Sequence, residues 1–332
     1  CNRGKESIAI NLKSESGQAL IHQMIPQVDV VIHNFRPGTM ETLNLGSDAL
    51  RELNPRLIYM AISGFGTEGP LRRAPAYDPI IQAHSGMTAS QGGDATPSFM
   101  RSLLCDKITA YTACQAVTSA LFARERSGVG QLIDLSMLDA SLFFMFPDGF
   151  QNHALLDEDQ VPGGLLIDML YDLTLTKDGG ITVAAANQDM QGRMLKAIGL
   201  LSLLEDERFN TMKALMKNLA AFRDLVAQKC IRYSSDELII LLREAEVPCA
   251  KCLTREEVLA QTQLSANDSI EIIDHPLLGK LRIVKSPPKF GGERLPPSRP
   301  TPGHGEHTDP VLSEMTDSRD HLTQLRADEV IR

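Results

Sequence analysis

Val28-Asp29-Val30-Val31-Ile32-His33 is a near-continuous β-branched run that stops at the turn-forming stretch Asn34-Phe35-Arg36-Pro37-Gly38. An apolar run without in-out alternation is the pattern of a strand covered on both faces, as in the interior of a parallel sheet. Upstream, Ser7-Ile8-Ala9-Ile10-Asn11-Leu12 is also strand-like. Ser14-Glu15-Ser16-Gly17 then offers a helix start, and Leu20, Ile21, Met24 and Ile25 recur at helical spacing. Strand, capped helix and buried strand in succession predict a βαβ unit.

The pattern repeats downstream. A helical segment from Ser47 to Leu53 must end before Asn54-Pro55, and Leu57-Ile58-Tyr59-Met60-Ala61-Ile62 supplies another buried strand. Gly64-Phe65-Gly66 and Gly69-Pro70 break the chain into a loop. A long helix is predicted from Asp106 to about Ser127, closed by Gly128 and Gly130, with Gln131 to Ser136 as a further strand. Open α/β sheets bind ligands at the carboxyl ends of their strands, so the residues after Ile32 and after Ile62 are the first candidates for a site.

From about Pro162 the texture changes. Tyr171 to Thr176, the Asp178-Gly179-Gly180 turn and Ile181 to Ala185 read as a β-hairpin; helices are predicted over Met190 to Ile198, Met212 to Cys230 and Ser234 to Ala245. After His275 the chain returns to short strands and then a Pro-rich run, Pro287 to Pro302, expected to lie extended. The fold class is therefore α/β: a large Rossmann-like domain with a parallel sheet, and a smaller α+β domain. The boundaries are 1–145 with 275–332 for the large domain and 165–265 for the small one, joined by linkers at 146–164 and 266–274.

Composition agrees with two units, since 332 residues that are 43% hydrophobic exceed what one core commonly supports. The formal net charge of −9 argues against nucleic acid as a partner, because phosphate backbones need a concentrated basic surface. A small anion held by a few local Arg and Lys side chains fits. No apolar stretch approaches the roughly 20 residues that span a bilayer, so no membrane partner is expected. Six cysteines in a chain this long are no disulfide framework and indicate a reducing compartment. The expected location is cytoplasmic, or the mitochondrial matrix or peroxisome in a eukaryote. Cys249 and Cys252 form a Cys-x-x-Cys pair with no second pair to complete a zinc site, and His304 with His307 lacks a third ligand nearby. No metal is expected. Cys1 to Lys5 reads as the approach to a strand, not as a signal peptide, and a preceding N-terminal segment is expected.

Taken together, several segments resemble the family III CoA-transferases, the L-carnitine dehydratase and bile-acid-inducible operon F group that includes formyl-CoA transferase and α-methylacyl-CoA racemase. They are Asn2-Arg3-Gly4-Lys5, Asn34-Phe35-Arg36-Pro37-Gly38, Asn54-Pro55-Arg56-Leu57-Ile58-Tyr59, Ser63-Gly64-Phe65-Gly66, Ala76-Tyr77-Asp78, Asp106, Arg124 to Gln131, Asp134 to Ala140, and Gly305 to Leu312. The resemblance covers nearly the whole chain. It implies a Rossmann-like domain built from both chain ends, a smaller inserted domain and an interlocked homodimer. The implied substrates are an acyl-CoA and a small carboxylate, with no tightly bound cofactor. It also implies a further N-terminal strand and helix before Asn2.

Moving CoA between carboxylic acids keeps thioester energy away from water, which a protein carboxylate achieves by forming an acyl anhydride and then an aspartyl thioester. Asp106 aligns with the family's catalytic aspartate. It stands where Leu103-Leu104-Cys105 meets a long helix, so the helix N-terminus favours its anion and apolar neighbours limit water; without the resemblance it would read as an N-cap. Asn34, Phe35 and Arg36 follow a strand, and the resemblance gives them to the CoA site together with Arg72, Tyr77 and Asp78, the last two at positions that contact the pantetheine arm or support the active-site acid in relatives. The adjacent Arg73 reads as little more than a loop charge. Tyr77 stands where racemases of the family place histidine, and a phenol of ordinary pKa about 10 is a poor base at neutral pH. CoA-transferase activity is the leading expectation, an acyl-CoA racemase or epimerase the second, and a truncated or silent CoA-binding relative the third. Gly163-Gly164 is a weak match to a mobile loop of relatives, and Asp134 and Asp139 are expected to cap and orient backbone.

Overall fold

Three parallel strands carry the larger unit. They are β1 (Val30–His33), β2 (Ile58–Ser63) and β3 (Leu132–Ser136), in that spatial order, with Val30 opposite Ile58 and Tyr59 opposite Leu132. In the computed structural model the described residues are 2–157, 173–185, 187–295, 299–314 and 319–332. The central position of β2 explains its sequence: Ile58, Tyr59 and Met60 are buried, and the Tyr59 hydroxyl donates to Leu45 O at 2.9 Å. The expectation for β1 needs correction. Among the described residues it is an outer strand, only partly covered, and Ile32 is 56% exposed.

The stretch Ser7 to Leu12 departs further from its reading, because it joins no parallel sheet. It makes one antiparallel bridge, Ile10 to Ile331. Around that bridge Asn11 N–H donates to Val330 O at 2.8 Å, Arg332 N–H to Ala9 O at 3.2 Å, and Ala9 N–H to the buried Thr308 Oγ1 at 3.0 Å. An alternating apolar pattern needs an extended partner, and here the far end of the chain supplies it. Leu20 of the helix Glu15–Met24 shares a core with Leu312, Leu322, Leu325, Val330 and Ile331. One compact unit thus holds Cys1–Gly164 and Glu271–Arg332.

The long helix runs Leu104–Ser127 and ends on Gly128 in the left-handed conformation at φ 76°. It begins two residues before the expected start, so Asp106 lies within the first turn and is not the N-cap. Near its other end Arg124, almost fully buried, donates to Asp29 Oδ1 at 2.8 Å and to Arg56 O at 3.2 Å, tying the helix to the starts of β1 and β2. The helix Met137–Gly149 follows β3 directly and continues past residue 145, where the sequence suggested a boundary. It is capped by Ser136, whose Oγ accepts from Asp139 N–H at 3.1 Å; Asp134 and Asp139 do not supply that cap.

The second unit, Leu165–Ile270, has its own core around Ile181, Leu195, Ile198, Leu238 and Leu242. Its sheet is antiparallel, with β4 (Thr174–Leu175), β5 (Gly180–Val183) and β6 (Cys249–Lys251) in that order. The helix expected over Met212 to Cys230 is two helices, Met212–Lys217 and Leu219–Cys230, parted at Asn218. The helix Ser235–Glu244 starts on a capping box formed by Ser234 and Glu237. Cys249 and Cys252 are free thiols, and burial pushes the Cys249 thiol up. Gly163-Gly164 and the start of the expected hairpin lie outside the described residues. Strands β7 (Ile270–His275) and β8 (Gly279–Val284) follow. The Pro-rich run is not simply extended: Lys289–Phe290 and Glu293–Arg294 pair as a hairpin across Gly291 and Gly292, at φ 62° and 88°.

Candidate active site

A cleft of about 550 Å³ opens at the carboxyl ends of the three parallel strands. Asn34, Phe35 and Arg36 enter it from the end of β1, Ser63 and Gly64 from β2, and Met137 from just beyond β3. The facing wall is the loop carrying Arg72, Ala74, Pro75, Ala76 and Tyr77, and the long helix contributes Asp106, Thr109 and Ala110 at successive turns of one face. Gly64 is required here, because a Cβ at this position would run into Ala76 and hold the two walls apart. Six of the seven residues singled out by the sequence therefore meet in one cleft: Asp106, Asn34, Phe35, Arg36, Arg72 and Tyr77. Arg73 does not line it.

Asp78 is the seventh, and the structure puts it elsewhere. It is 3% exposed and lies behind the cleft lining. It is the first residue of the helix Asp78–His84, with Pro79 in the first turn. Its Oδ1 accepts from Gln82 Nε2 and its Oδ2 accepts from the backbone N–H of Asp106 at 3.0 Å. A carboxylate accepting an N–H of a first helical turn does the work of a capping side chain. Here the cap comes from a neighbouring helix, since Leu103 at the N-cap position has no side chain able to bond.

Asp106 itself opens toward the cleft and is solvent-exposed, so the expected apolar shield from water is not present around it in the single chain. Its carboxyl is nonetheless pushed above the usual range, first by desolvation against the surrounding chain and then by the Asp78 carboxylate, with Lys107 opposing. The neighbouring Cys105 is fully buried, and burial pushes its thiol up as well.

On the opposite wall the aromatic ring of Phe35 is braced from below. The His33 ring stacks on it at 6.1 Å between centroids and 29° between planes, and His33 Nδ1 accepts the Phe35 N–H at 3.3 Å. Burial lowers the pKa of that imidazole, with Glu41 and Asp134 pulling the other way, which suits the acceptor role of a neutral ring. Among the described residues neither Arg36 nor Arg72 has an ion-pair partner. Both guanidinium groups stand exposed at a concave wall.

An aromatic surface, unpaired guanidinium groups and a carboxylate at a helix start are what an acyl-CoA with its anionic head requires. The sequence pattern of CoA-transferase family III matches residues 1–308. The chain belongs to this family. It is 31% identical to the succinyl-CoA–D-citramalate CoA-transferase of Chloroflexus aurantiacus, over 99% of this chain and 83% of that protein. It is 32% identical to the acetyl-CoA:oxalate CoA-transferase of Acetobacter aceti, over 90% of this chain and 76% of that one. Among solved structures, a CaiB/BaiF family protein from Brucella suis superposes with a TM-score of 0.81 at 27% identity, over 95% of this chain and 83% of that one. The chain is a transferase that moves CoA, built on the α/β fold of this family.

Sequence reasoning missed Gln82, His33, Thr109 and Met137. The first was visible in principle: Asp78 and Gln82 are four residues apart, hence on one helical face. Among the described residues no group of three or more His, Cys, Asp or Glu side chains is arranged to hold an ion. No helix among them is long and apolar enough to cross a membrane.

Proposed function

We propose that this family III enzyme is an acyl-CoA:carboxylate CoA-transferase working through a covalent intermediate on Asp106. The observation that carries the reading is the placement of the Asp106 carboxylate inside the cleft that also presents Arg36, Arg72 and Phe35. An Asp106 oxygen attacks the thioester carbonyl; a C–O bond forms, the C–S bond breaks and CoA leaves as thiolate, giving a mixed anhydride. The thiolate then attacks the Asp106 carbonyl carbon, releasing the donor carboxylate and leaving an aspartyl-CoA thioester. The acceptor carboxylate attacks that thioester, and CoA thiolate returns to the acceptor's acyl carbon, freeing Asp106. No net proton is taken up or released, so no residue is needed as a general base.

In this reading Asn34, Phe35, Arg36, Arg72 and Tyr77 bind CoA, with the rings and amide against adenine and pantetheine and the guanidinium groups at phosphate. Asp78 binds no ligand and holds Asp106 from behind. The acceptor is a small dicarboxylate, the class to which citramalate and oxalate in the relatives' names belong. The functional form is an interlocked homodimer; the helix Met137–Gly149 supports this by leaving Phe143 and Phe144 exposed to solvent in the single chain.

A panel of acyl-CoA donors, incubated with and without oxalate, succinate or glutarate and followed by mass spectrometry, tests the reading. Acceptor-dependent appearance of a new acyl-CoA supports it. Deuterium uptake at the α-carbon without acceptor would instead indicate a racemase, and CoA binding with neither result a silent relative. A single-chain mass in light scattering would refute the dimer.

A further inference from the structure

Between the helix Asp78–His84 and the long helix the chain runs through an exposed segment, from Gly93 to Leu103, that delivers Asp106 to the cleft. Such a segment has little packing of its own, so what fixes its end fixes the start of the helix. Gln82, 2% exposed, points into this join. Its Oε1 accepts the Met100 N–H at 3.1 Å, which sets the orientation of the amide. Its Nε2 therefore faces Asp78 Oδ1 at 2.6 Å, Met100 O at 3.1 Å and Ser102 O at 3.1 Å. Both N–H groups are committed among three acceptors and the carbonyl accepts the Met100 N–H, so every polar atom of the carboxamide is engaged.

Other bonds hold the segment at its two ends: Gly93 N–H donates to Ala89 O at 2.6 Å, Thr96 Oγ1 to Gly92 O at 2.6 Å and Ser98 N–H to Thr88 O at 3.0 Å, while the Lys107 ammonium donates to Ser102 Oγ at 2.7 Å. Among the described residues only Gln82 hydrogen-bonds both the segment and Asp78. The local sequence offers no cap at Leu103, and the two residues that replace it, Asp78 and Gln82, stand one turn apart on the facing helix. One side chain thus grips both the incoming backbone and the carboxylate that holds the Asp106 amide.

We infer that Gln82 is a positioning residue of the transferase reaction, acting through Asp78 and the Met100–Ser102 backbone to set where the Asp106 carboxylate stands in the cleft. This rests on the reading of Asp106 as the nucleophile. The hydrogen-bond partners of the Gln82 side chain, Asp78, Met100 and Ser102, are not lining residues of the cleft, so its loss is expected to displace the reacting atom and leave the CoA site alone. A near-attack geometry lost by about 1 Å costs on the order of 100-fold in rate.

The test compares Gln82→Met, which keeps length and loses every hydrogen bond, with Gln82→Asn, which keeps the amide but is one methylene too short to grip both partners. Steady-state transfer and amide hydrogen exchange over residues 100–106 are measured on folded protein of each, with hydroxylamine trapping on the wild type. Expected are a fall in kcat of about 10- to 100-fold for Gln82→Met and a smaller fall for Gln82→Asn. KM for the acyl-CoA stays within about threefold, and exchange is faster at residues 100–106 alone. Unchanged kcat per folded molecule, or a rise in KM with kcat intact, would overturn the inference. If hydroxylamine marks a carboxylate other than Asp106 in the wild type, the underlying reading fails instead, whatever the variants do.

Discussion

The two walls of the cleft are built on opposite terms. Behind Asp106, Asp78 and Gln82 are buried, and each polar atom they present is matched to a protein partner. Around the opening, Asn34, Arg36, Arg72 and Tyr77 are exposed, the two arginines have no ion-pair partner among the described residues, and Tyr77 is 74% exposed. A buried polar set left partly unmatched is costly, so the inner wall holds one arrangement without a ligand. An exposed cation costs little to leave unpaired and gains when an anion arrives. The inner wall is thus preorganised for the chemical step, and the outer wall is kept free for the ligand.

That division makes substitutions separable by what they change. Asp106→Asn removes the nucleophile and should lower transfer on the order of 1,000-fold or more, with CoA affinity retained. Stability follows with a definite sign. An acid whose folded pKa is raised destabilises the fold once ionised, so its cost begins as pH rises through the unfolded value and is complete above the folded one. At neutral pH the asparagine variant should melt at an equal or higher Tm, as calorimetry would show. A clear fall in Tm would mean the carboxylate is needed for the fold.

The outer wall should answer in binding. Arg36→Ala should weaken CoA by about 1.5–3 kcal/mol, or roughly 10- to 100-fold, the worth of a hydrogen bond to a charged group. Titration calorimetry with CoA and with dephospho-CoA reads where the guanidinium acts, since a smaller loss for dephospho-CoA places it at the 3′-phosphate. A fall in kcat with unchanged affinity would erase the distinction between the walls.

Beneath the outer wall, Tyr59→Phe deletes the bond to Leu45 O and should cost about 1 kcal/mol of stability without touching CoA affinity. The smallest effect is one of pH. The Asp78 charge helps push the Asp106 carboxyl up, so Asp78→Asn should move the acid limb of kcat/KM to lower pH. A limb that stays in place or rises would show that the two carboxyls are not coupled.

Much of this was legible in the sequence, for reasons that also explain the failures. The strand ends at His33 and Ser63 were marked by β-branched runs meeting turn residues, and the cleft opens where those ends converge in a parallel sheet, with Asn34, Phe35 and Arg36 directly after one of them. Local pattern names an element but not its neighbour. Ser7 to Leu12 read as a strand of the parallel sheet although its partner is Ile331, more than three hundred residues away. The β1 run read as fully covered although among the described residues it lies at an outer position. For Asp78 the motif leaves a ligand contact and support of the acid both open; successive residues at a helix start point in different directions, and Tyr77 faces the cleft while Asp78 is buried with its Oδ2 on the Asp106 N–H. Gln82 carries no motif of its own, and its role exists only through Met100, Ser102 and Asp78.

The most direct test of the central claim is covalent. With acyl-CoA and acceptor present, hydroxylamine added during turnover should convert the activated Asp106 carboxyl to a hydroxamate, read by mass spectrometry on the peptide that contains Leu104, Cys105 and Asp106. The account predicts a turnover-dependent mark on Asp106 alone, absent without acyl-CoA. A mark on Asp78 or Asp139, or rapid transfer with no mark on any carboxylate, would contradict it.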